Sequence, residues 1–310
     1  MYAAVVTSFD APPHYSEHPE PVAQASEEVV VEVLAAGLHP RVRSQAAGSH
    51  YSSAGELPLV PGIDGVVRDP KGRIRYTILD DTVLGTMAER TVIDLRRSVV
   101  LPEGIDPVQV AAAVNPVMSS WVALRRRVHF GRRKRVLVLG ATGNAGRMAI
   151  QVAKRFGAAH VIAAGRDTAR LAELRALGAD ETCTFDELSR AADVDVVIDY
   201  VWGEPTARAM EDMLTARTDR SAPLTWIEIG SVAGPTAPIP SAALRSTRLK
   251  IVGSGIGSVP GRDFVKELPK LATAVARGAF DVRARAVPLA EVEQVWAATA
   301  GLTDRVVLVP

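Results

Sequence analysis

The segment from residue 135 to residue 156 joins an apolar run to a glycine-rich turn and then to a helical pattern. Its sequence is RVLVLGATGNAGRMAIQVAKRF, and its glycines Gly140, Gly143 and Gly146 have the spacing G-x-x-G-x-x-G. The aliphatic run before them is typical of a buried parallel strand, and the apolar residues after them recur at helical spacing. This order of strand, tight turn and helix predicts the first unit of a doubly wound parallel sheet.

The same turn predicts a nucleotide-binding site. Glycines let the backbone approach a pyrophosphate closely, and a helix N-terminus presents unpaired N–H groups and a positive dipole end to the anion. We therefore predict that a dinucleotide contacts Gly140, Thr142, Gly143, Asn144, Ala145 and Gly146. Strand–glycine–helix turns also occur where only close packing is required, and the motif alone leaves that alternative open.

The pattern of apolar residues divides the chain into two regions. Residues 1 to about 115 hold short β-prone runs broken by Gly and Pro, which predict an antiparallel, barrel-like β domain. From about residue 131 strands alternate with helices, which predicts a parallel sheet covered on both faces. The predicted strands are 135–139, 160–164, 194–199, 224–229 and 249–253, and the predicted helices are 144–156, 168–177, 205–217 and 261–277. The closing RVVLVP is predicted to rejoin the first sheet, so we assign 1–115 and 282–310 to the β domain and 116–281 to a Rossmann domain.

Composition narrows the possible functions. The chain has 36 basic and 35 acidic residues, so its net charge of +1 provides no global field for nucleic acid or an anionic membrane. The single cysteine, Cys183, excludes an intrachain disulfide and a four-thiolate zinc site and favours a reducing, cytoplasmic setting. It lies in a short β-like run, TCTF, where we expect an inert core thiol. The start of the chain and the lack of an apolar run of about 18 residues predict neither a signal peptide nor a membrane span.

The end of the second predicted Rossmann strand distinguishes NADP from NAD, because the 2′ position of the adenosine ribose lies there. An NAD site usually has a carboxylate directly after this strand. This chain has Gly165 and then Arg166, and a guanidinium binds a 2′-phosphate in bidentate fashion. Arg170, one turn later, is a second candidate or a solvated helix residue. We predict NADPH, although a register two residues later would make Asp167 an NAD-type acid.

The order of several further segments resembles the medium-chain dehydrogenase/reductase superfamily, in its zinc-lacking quinone oxidoreductase branch. The matching segments are AAGLHPRVR at 35–43, LPLVPGIDGVV at 57–67, GTMAERTVI at 85–93, AAAVNPVMSSWVALRRRV at 111–128, the glycine-rich motif, DVDVVIDYVWG at 193–203, IEIGSVAGP at 227–235, KIVGSGIGSVP at 250–260 and the closing VPLAEVEQVW. They cover nearly the whole chain. The resemblance implies a Rossmann domain and a GroES-like β domain made of both chain ends.

The resemblance also implies chemistry without a metal. Zinc alcohol dehydrogenases of this superfamily carry a cysteine near position 39 and a Gly-His-Glu after the proline at 61, whereas this chain has His39 and Gly62-Ile63-Asp64. Without a Lewis acid, hydride addition to a conjugated acceptor is easier than reduction of a simple ketone. We therefore expect NADPH-dependent, zinc-independent reduction of a small quinone or other conjugated carbonyl compound. The alternatives are an enal or enoyl-thioester double-bond reductase and an NADPH-binding redox sensor.

Further site residues follow from the resemblance, which implies a substrate cleft between the domains. Ser119 matches a position where the family often has a cofactor-touching threonine, and the segments flanking the nicotinamide match Gly230, Ser231, Ser254 and Gly255. Ordinary turn chemistry is the alternative for these four residues. Trp202 lies where the family often has a small residue.

The catalytic candidates are His39, Tyr51 and Asn115. His39 or Tyr51 could protonate the developing oxyanion, and Asn115 could offer its amide to substrate or nicotinamide. The alternatives are a structural histidine, an aromatic that shapes the pocket, and a helix cap. The family often has Asn in place of His39, with an acid and a second tyrosine where this chain has Val42 and Ser44. We expect catalysis to rest mainly on positioning the nicotinamide against a flat substrate.

Two segments bear on macromolecular partners. The run RRRVHFGRRKR at 125–135 holds seven Arg or Lys residues, which raises nucleic-acid binding as a hypothesis. A solvated connector is the favoured interpretation, because aromatics are sparse in the run and the net charge is balanced. The apolar segment LKIVGS at 249–254 is expected at the sheet edge, and with the resemblance it predicts a homodimer.

Overall fold

The computed structural model describes residues 1–53, 55–80, 82–128, 130–298 and 304–310, and fifteen strands and eight α-helices lie in these ranges. The strands are β1 Tyr2–Val5, β2 His14–Glu17, β3 Glu28–Gly37, β4 Asp64–Arg68, β5 Ile74–Ile78, β6 Arg90–Asp94, β7 Ser98–Val100, β8 Arg135–Leu139, β9 His160–Ala164, β10 Glu181–Cys183, β11 Val196–Asp199, β12 Leu224–Glu228, β13 Leu249–Gly253, β14 Ala284–Pro288 and β15 Arg305–Val309. The helices are α1 Pro40–Ala46, α2 Pro107–Val122, α3 Asn144–Arg155, α4 Thr168–Glu173, α5 Gly203–Ala216, α6 Ser241–Ser246, α7 Gly261–Ala276 and α8 Val292–Ala298.

The first compact unit, Met1–Asn115 with Val265–Pro310, contains the β domain. Its main sheet has the strand order β14-β15-β3-β4-β5-β7, with β6 also paired to β3. Every pair in this sheet is antiparallel except β14 with β15. Valines dominate the central strand β3, because β-branched side chains pack well on a pleated sheet. β15 pairs with β3, which confirms that the closing segment rejoins the first sheet.

The second compact unit, Pro116–Phe264, contains a six-stranded parallel sheet with the order β10-β9-β8-β11-β12-β13. Counted from β8, this is the order 3-2-1-4-5-6 of a doubly wound Rossmann sheet, and the predicted fold class is confirmed. The strand order reverses between β8 and β11, and ligands bind at the carboxyl ends of strands at such a point. We predict the second domain boundary at 281/282, and the compact units divide inside α7, between Phe264 and Val265.

The predicted Rossmann elements correspond closely to the observed ones. β8, β9 and β13 have the predicted bounds, whereas β11 begins two residues later than predicted and β12 ends one residue earlier. The helix predicted at 168–177 consists of α4 followed by a 3-10 helix, Leu174–Leu177. The β-like run that contains Cys183 forms β10, which pairs with β9.

The interior of the parallel sheet has the apolar character expected of a strand covered on both faces. Val136, Leu137, Val138 and Leu139 of β8 are all fully buried. α3 buries its apolar stripe and ends with Lys154 and Arg155 in its last turn, two cations that favour a helix C-terminus. Within the described ranges, no helix combines the length and the hydropathy needed to span a bilayer.

Candidate active site

The glycine-rich turn joins β8 to α3 at the point where the strand order of the parallel sheet reverses. Gly140 has a φ of 76°. A Cβ at Gly146 would overlap the carbonyl oxygen of Gly140 and lie 2.6 Å from the Cα of Ala141. Only glycine therefore lets the first turn of α3 approach the end of β8 this closely.

The first turn of α3 presents unpaired backbone donors. Its N-cap, Gly143, is exposed and makes no side-chain capping bond. No acceptor within the described ranges contacts the N–H groups of Asn144, Ala145 and Gly146. Because α3 has 12 residues, its dipole adds a positive potential at the same place. The turn has the unpaired backbone donors that a pyrophosphate requires.

The end of β9 lies against this turn. The N–H of Ala141 donates to the carbonyl oxygen of Ala164 at 2.9 Å, and a Cβ at Gly165 would lie 2.9 Å from Cγ2 of Thr142. Arg166 follows with an exposed side chain, and it has no hydrogen-bond or ion-pair partner in the part of the chain that the structure describes. The structure thus brings Gly165 and Arg166 together with the glycine-rich turn.

Asp167 has its carboxylate engaged within its own helix. It is the N-cap of α4, and its Oδ1 accepts from the N–H groups of Ala169 at 3.0 Å and Arg170 at 3.1 Å. The Nε of Arg170 lies 3.3 Å from Oδ2. Both oxygens therefore serve helix capping and an ion pair, as is usual for aspartate at an N-cap.

Asp199, at the end of β11, organises the loop beside the turn. It is fully buried, and its Oδ1 accepts from the N–H groups of Val201 at 2.7 Å and Trp202 at 3.1 Å. Its Oδ2 accepts from Oγ1 of Thr206 at 2.7 Å and from Nε1 of Trp226 at 2.9 Å. Four donors offset the cost of burying this carboxylate. This role of Asp199 was not predicted from the sequence, although an aspartate that ends a strand of Val and Ile is a signal that could have indicated it.

The hydrogen bonds of Asp199 hold Trp202, whose backbone is strained, at the carboxyl end of β11. Trp202 has φ 51° and ψ −163°, a conformation that favours glycine. A Cβ at Gly140 would lie 3.2 Å from Cγ2 of Val201, so this loop is next to the glycine-rich turn. A strained backbone persists only where surrounding contacts hold it in place. Such strain is common at ligand-binding sites.

Ser119 is held by Tyr200, a residue that was not predicted to belong to the site. Its Oγ donates to the carbonyl oxygen of Pro116 at 2.8 Å and lies 2.9 Å from the hydroxyl of Tyr200. Since the Ser119 proton is directed to Pro116, Tyr200 is the donor to Ser119. Burial raises the pKa of Tyr200 to about 12, so it remains a donor throughout the neutral range.

Gly230, Ser231, Ser254 and Gly255, which were matched to the nicotinamide segments, also lie at the carboxyl ends of the parallel strands. Gly230 donates its N–H to the carbonyl oxygen of Asp199 at 3.3 Å, and Ser254 donates its N–H to that of Glu228 at 2.8 Å. Ser231 follows Gly230 and is exposed, and the N–H of Gly255 donates to Oγ of Ser258 at 2.7 Å. The structure therefore brings together the carboxyl ends of β8, β9, β11, β12 and β13.

His39 belongs to a buried polar cluster in the β domain. It is 3% exposed, and its Nε2 lies 2.9 Å from Oδ1 of Asp64, which is 1% exposed. The hydroxyl of Tyr76, also buried, donates to Oδ2 of the same carboxylate. Because a carboxylate only accepts, His39 carries its proton on Nε2 and has a lone pair on Nδ1.

Arg305 extends this cluster from β15. Its side chain is 5% exposed, and Nη2 donates to Oδ1 of Asn115 at 3.3 Å. Its Nε has no hydrogen-bond partner in the described structure. Burial lowers the pKa of Arg305 to about 10, while the neighbouring Asp64 and Tyr76 act in the opposite direction. A charged residue at the start of an otherwise apolar strand, as in RVVLV, was the signal that could have indicated it.

The cluster keeps His39 neutral. Burial lowers its pKa below the usual value, the nearby Arg305 and Arg41 act in the same direction, and Asp64 opposes them. At neutral pH the ring therefore has no proton to give to an oxyanion, since its one N–H is directed to Asp64. Its open ring position is a hydrogen-bond acceptor.

The two other catalytic candidates differ in exposure. Asn115 is half-buried and lies well inside α2, so the helix-cap interpretation of this residue is wrong. Tyr51 is 73% exposed, and its ring lies 4.1 Å from that of His50. Tyr51 as a proton donor stays a prediction.

Around His39, the described residues offer few side chains that could bind a metal ion. Ile63, which follows Gly62, packs in the apolar core. His39 and Asp64 are bonded to each other, and no third metal-ligating side chain joins them in the described ranges, where no group of three or more His, Cys, Asp or Glu side chains could hold a metal ion. One imidazole and one carboxylate are an incomplete donor set for zinc.

Comparison with known proteins agrees with this geometry. Residues 145–275 match the family described as zinc-binding dehydrogenase. A probable NADPH-dependent quinone reductase of Emericella nidulans is 31% identical, over all of this chain and all of that protein. A chloroplastic NADPH-dependent alkenal/one oxidoreductase of Arabidopsis thaliana is 30% identical over 50% of this chain and 44% of that protein. Quinone oxidoreductase from Thermus thermophilus, whose structure was solved also in complex with NADPH, superposes with a TM-score of 0.85 and 26% identity over 100% of both chains.

Proposed function

We propose that this chain, which belongs to the quinone oxidoreductase-like branch of the medium-chain dehydrogenase/reductase superfamily, is an NADPH-dependent reductase of quinones or other conjugated carbonyl compounds. The end of β9 carries the proposal, because Arg166 is exposed and unpaired there while Asp167 is engaged as a helix cap. The relative from Emericella nidulans, named a probable NADPH-dependent quinone reductase, supports it.

The cofactor-binding residues follow from the glycine-rich turn. The N–H groups of Asn144, Ala145 and Gly146 would hold the pyrophosphate, and the exposed Gly143 lies directly before them. Arg166 would hold the 2′-phosphate, with Arg170 one turn away. When bound, NADPH would supply the hydride. Gly230, Ser231, Ser254, Gly255 and Ser119 are proposed to hold the nicotinamide half.

The proposed acceptor class rests on which metal ligands and proton donors the His39 cluster contains. The His39 cluster holds no complete set of metal ligands within the described ranges, and neutral His39 has no proton for an oxyanion. Hydride addition to a conjugated acceptor spreads the negative charge within the acceptor, as in an enolate or a hydroquinone, and so depends least on a Lewis acid or a proton donor. We therefore favour a conjugated carbonyl compound over a simple ketone. Double-bond reduction of enals is the second candidate, favoured by the alkenal/one oxidoreductase relative.

We further propose that the protein is a cytoplasmic homodimer joined through β13. β13 is an edge strand of the parallel sheet. Among the described strands, it pairs with β12 alone. Its residues Leu249 and Ile251 are partly buried against the core, so a second copy would extend the sheet without exposing apolar side chains.

An assay of reduced-cofactor oxidation tests the function. The acceptors are 2-methyl-1,4-naphthoquinone, an alkenal and cyclohexanone, each with NADPH and with NADH. We expect turnover of the conjugated acceptors with NADPH. Turnover of cyclohexanone alone would contradict the proposal, and tight NADPH binding without oxidation by any acceptor would favour the redox sensor.

The variant Arg166→Gln tests the cofactor assignment. Losing a charge-assisted contact to the 2′-phosphate should lower kcat/KM with NADPH by about tenfold and leave NADH within about twofold. Arg190→Gln is the matched control, because Arg190 is a half-exposed arginine paired with Glu187. Equal losses with both cofactors would exclude the 2′-phosphate role.

A further inference from the structure

Trp202 has a backbone conformation that is costly for a tryptophan. Its φ of 51° and ψ of −163° lie close to a region populated almost only by glycine, and such strain costs about tenfold or more in the folding equilibrium. The loop around it is fixed on two sides. Oδ1 of Asp199 accepts from the N–H of Trp202, and the carbonyl oxygen of Val201 accepts from the N–H of Ala233 at 2.9 Å. The loop therefore imposes this conformation on any residue at position 202.

The indole of Trp202 lies outside the apolar core cluster that contains its neighbour Val201. Trp226 belongs to that cluster, whereas Trp202 is neither a member of it nor one of the partly buried side chains that pack on it. Nε1 of Trp226 donates to Asp199. Nε1 of Trp202 makes no hydrogen bond within the described ranges and is not a buried atom. The half-buried indole is therefore accessible in part to a ligand.

Trp202 follows the strand that carries the nicotinamide side of a bound dinucleotide. The sheet has the order β9-β8-β11, with Gly165 and Arg166 at the end of β9 and the glycine-rich turn at the end of β8. A dinucleotide crosses the point where the strand order reverses, so the half opposite the adenosine lies at the end of β11. A Cβ at Gly140 would lie 3.2 Å from Cγ2 of Val201, which puts the loop of Trp202 directly beside the turn.

The nicotinamide ring is a planar cation when it is oxidised and is neutral when it is reduced. Among aromatic side chains, indole has the most favourable face for a cation, and stacked rings gain further from their contact. The N-terminus of α5 does not oppose such a cation, because the carboxylate of Asp199 lies there and offsets the positive end of the helix dipole. An indole stacked on this ring therefore distinguishes its two redox states.

We propose that the indole of Trp202 stacks on the nicotinamide ring and binds the oxidised cofactor more tightly than the reduced one. The strained backbone is retained because it holds the indole at this place. NADP⁺ is then a product inhibitor whose strength is set by Trp202. This inference rests on the proposed function and adds a regulation of the same site by its oxidised cofactor.

Trp202→Leu tests the stacking, because leucine retains the strained backbone and an apolar side chain and removes the aromatic face. Trp202→Phe retains a weaker aromatic face. Trp296→Leu is the matched control, since Trp296 is a half-buried tryptophan of the other compact unit, with its ring 4.9 Å from the guanidinium carbon of Arg43.

Calorimetry measures the Kd values of NADP⁺, NADPH and 2′,5′-ADP, which has the 2′-phosphate and no nicotinamide. We expect Trp202→Leu to weaken binding of NADP⁺ about tenfold, of NADPH less than about threefold and of 2′,5′-ADP less than about twofold. Trp202→Phe should give an intermediate Kd for NADP⁺, and Trp296→Leu should change none of the three values. In the unmodified protein NADP⁺ should also produce a charge-transfer absorption band on the long-wavelength side of the indole band.

Equal losses for NADP⁺ and NADPH in Trp202→Leu would place the indole against the ribose and overturn the stacking. Unchanged Kd values, or a loss for 2′,5′-ADP as large as that for NADP⁺, would also overturn it. If Trp202→Leu does not fold, Trp202→Phe must weaken NADP⁺ more than NADPH, and absence of the charge-transfer band in the unmodified protein would overturn the stacking.

These equilibrium measurements contain no acceptor, so they separate the inference from the proposed function. If no acceptor is reduced while the expected Kd values are found, the proposed function fails and the stacking stands. If conjugated acceptors are turned over with NADPH while Trp202→Leu leaves the three Kd values unchanged, the proposed function stands and the stacking fails.

Discussion

Gly146 is the residue at which the glycine-rich turn tolerates least change. A Cβ there would overlap the backbone of Gly140 and lie 2.9 Å from the carbonyl carbon of Ala141, and neither neighbour is a side chain that could move away. We expect Gly146→Ala to lower the free energy of unfolding by about 1–3 kcal/mol, because α3 must shift away from β8. The same shift should weaken NADPH binding.

Urea unfolding and fluorescence titration with NADPH measure the two effects of Gly146→Ala. Gly131→Ala is the matched control, since a Cβ at Gly131 meets nothing within 4 Å. If the two variants were equally stable, close packing would not be the role of Gly146.

Burial raises the pKa of the Cys183 thiol, and the pH dependence of the free energy of unfolding tests this shift. The thiol is 2% exposed, and burial raises its pKa from 9.0 to about 11. Because the folded pKa is the higher one, the associated stability is fully present below pH 9 and is lost as the pH rises towards about 11. We expect the free energy of unfolding to fall more steeply across this window in the unmodified protein than in Cys183→Ala.

Urea unfolding of both proteins from pH 8 to pH 11 checks the Cys183 prediction, and the titration of Tyr200 is common to both and cancels. Parallel pH profiles would show that the thiol ionises in the folded state as it does in the unfolded chain.

At the scale of elements, α4 shows how one helix end bears on cofactor choice. Asp167 caps α4 with two hydrogen bonds. We expect Asp167→Ala to lower the free energy of unfolding by about 1 kcal/mol, which is typical of a lost N-cap. Removing its negative charge beside Arg166 should also strengthen NADPH binding and leave NADH use unchanged.

Chemical unfolding and the KM values for both cofactors measure these effects, with Asp167→Asn as the control that retains a capping oxygen. A selective loss of NADH use in Asp167→Ala would revive the register in which Asp167 binds the ribose hydroxyls.

The elements of the parallel sheet were predictable because their signals are local. The periods of strand and helix are visible within ten to twenty residues, so β8, β9 and β13 have the predicted bounds. α2 is less readable, since it continues through Pro116 although proline lacks the N–H that the helix would use. That is why Asn115 suggested a helix cap and lies instead inside the helix.

At the scale of the whole molecule, the free edge of β13 tests the proposed homodimer. The N–H of Ser254 and the carbonyl oxygen of Arg248 bond to β12, so alternation directs the polar groups of Leu249 and Ile251 to the free edge. The carbonyl oxygen of Gly253 points to the same side and accepts from Arg127. We expect Ile251→Pro to yield monomers, because it removes one edge donor and no bond to β12. Lys250→Pro should instead destabilise the sheet by about 3 kcal/mol, because it removes a bond to β12.

Light scattering after gel filtration measures the mass of both proline variants, and urea unfolding measures their stability. A monomeric unmodified protein would contradict the homodimer directly, and a dimeric Ile251→Pro would place the interface elsewhere.

Several basic side chains of the run at 125–135 are engaged in contacts within the molecule. Arg127 donates to the carbonyl oxygen of Gly253 at 2.7 Å, Lys134 lies 2.9 Å from Asp195, and Arg125 lies over the ring of Phe156. His129, within the run, lies outside the described residues. Basic side chains engaged in such contacts favour the connector over a nucleic-acid surface.

The sequence by itself determined the Rossmann topology, the glycine-rich turn and the register of Gly165 and Arg166, because each depends on residues close together in the chain. Only the tertiary structure decided that Arg305 meets Asn115 across 190 positions and that Asp64 and Tyr76 hold His39 with its acceptor nitrogen open. Hydrogen bonds between distant strands leave no periodic pattern, since each requires only one suitable side chain at a single buried position. The environment of His39 was therefore decided by packing within the β domain.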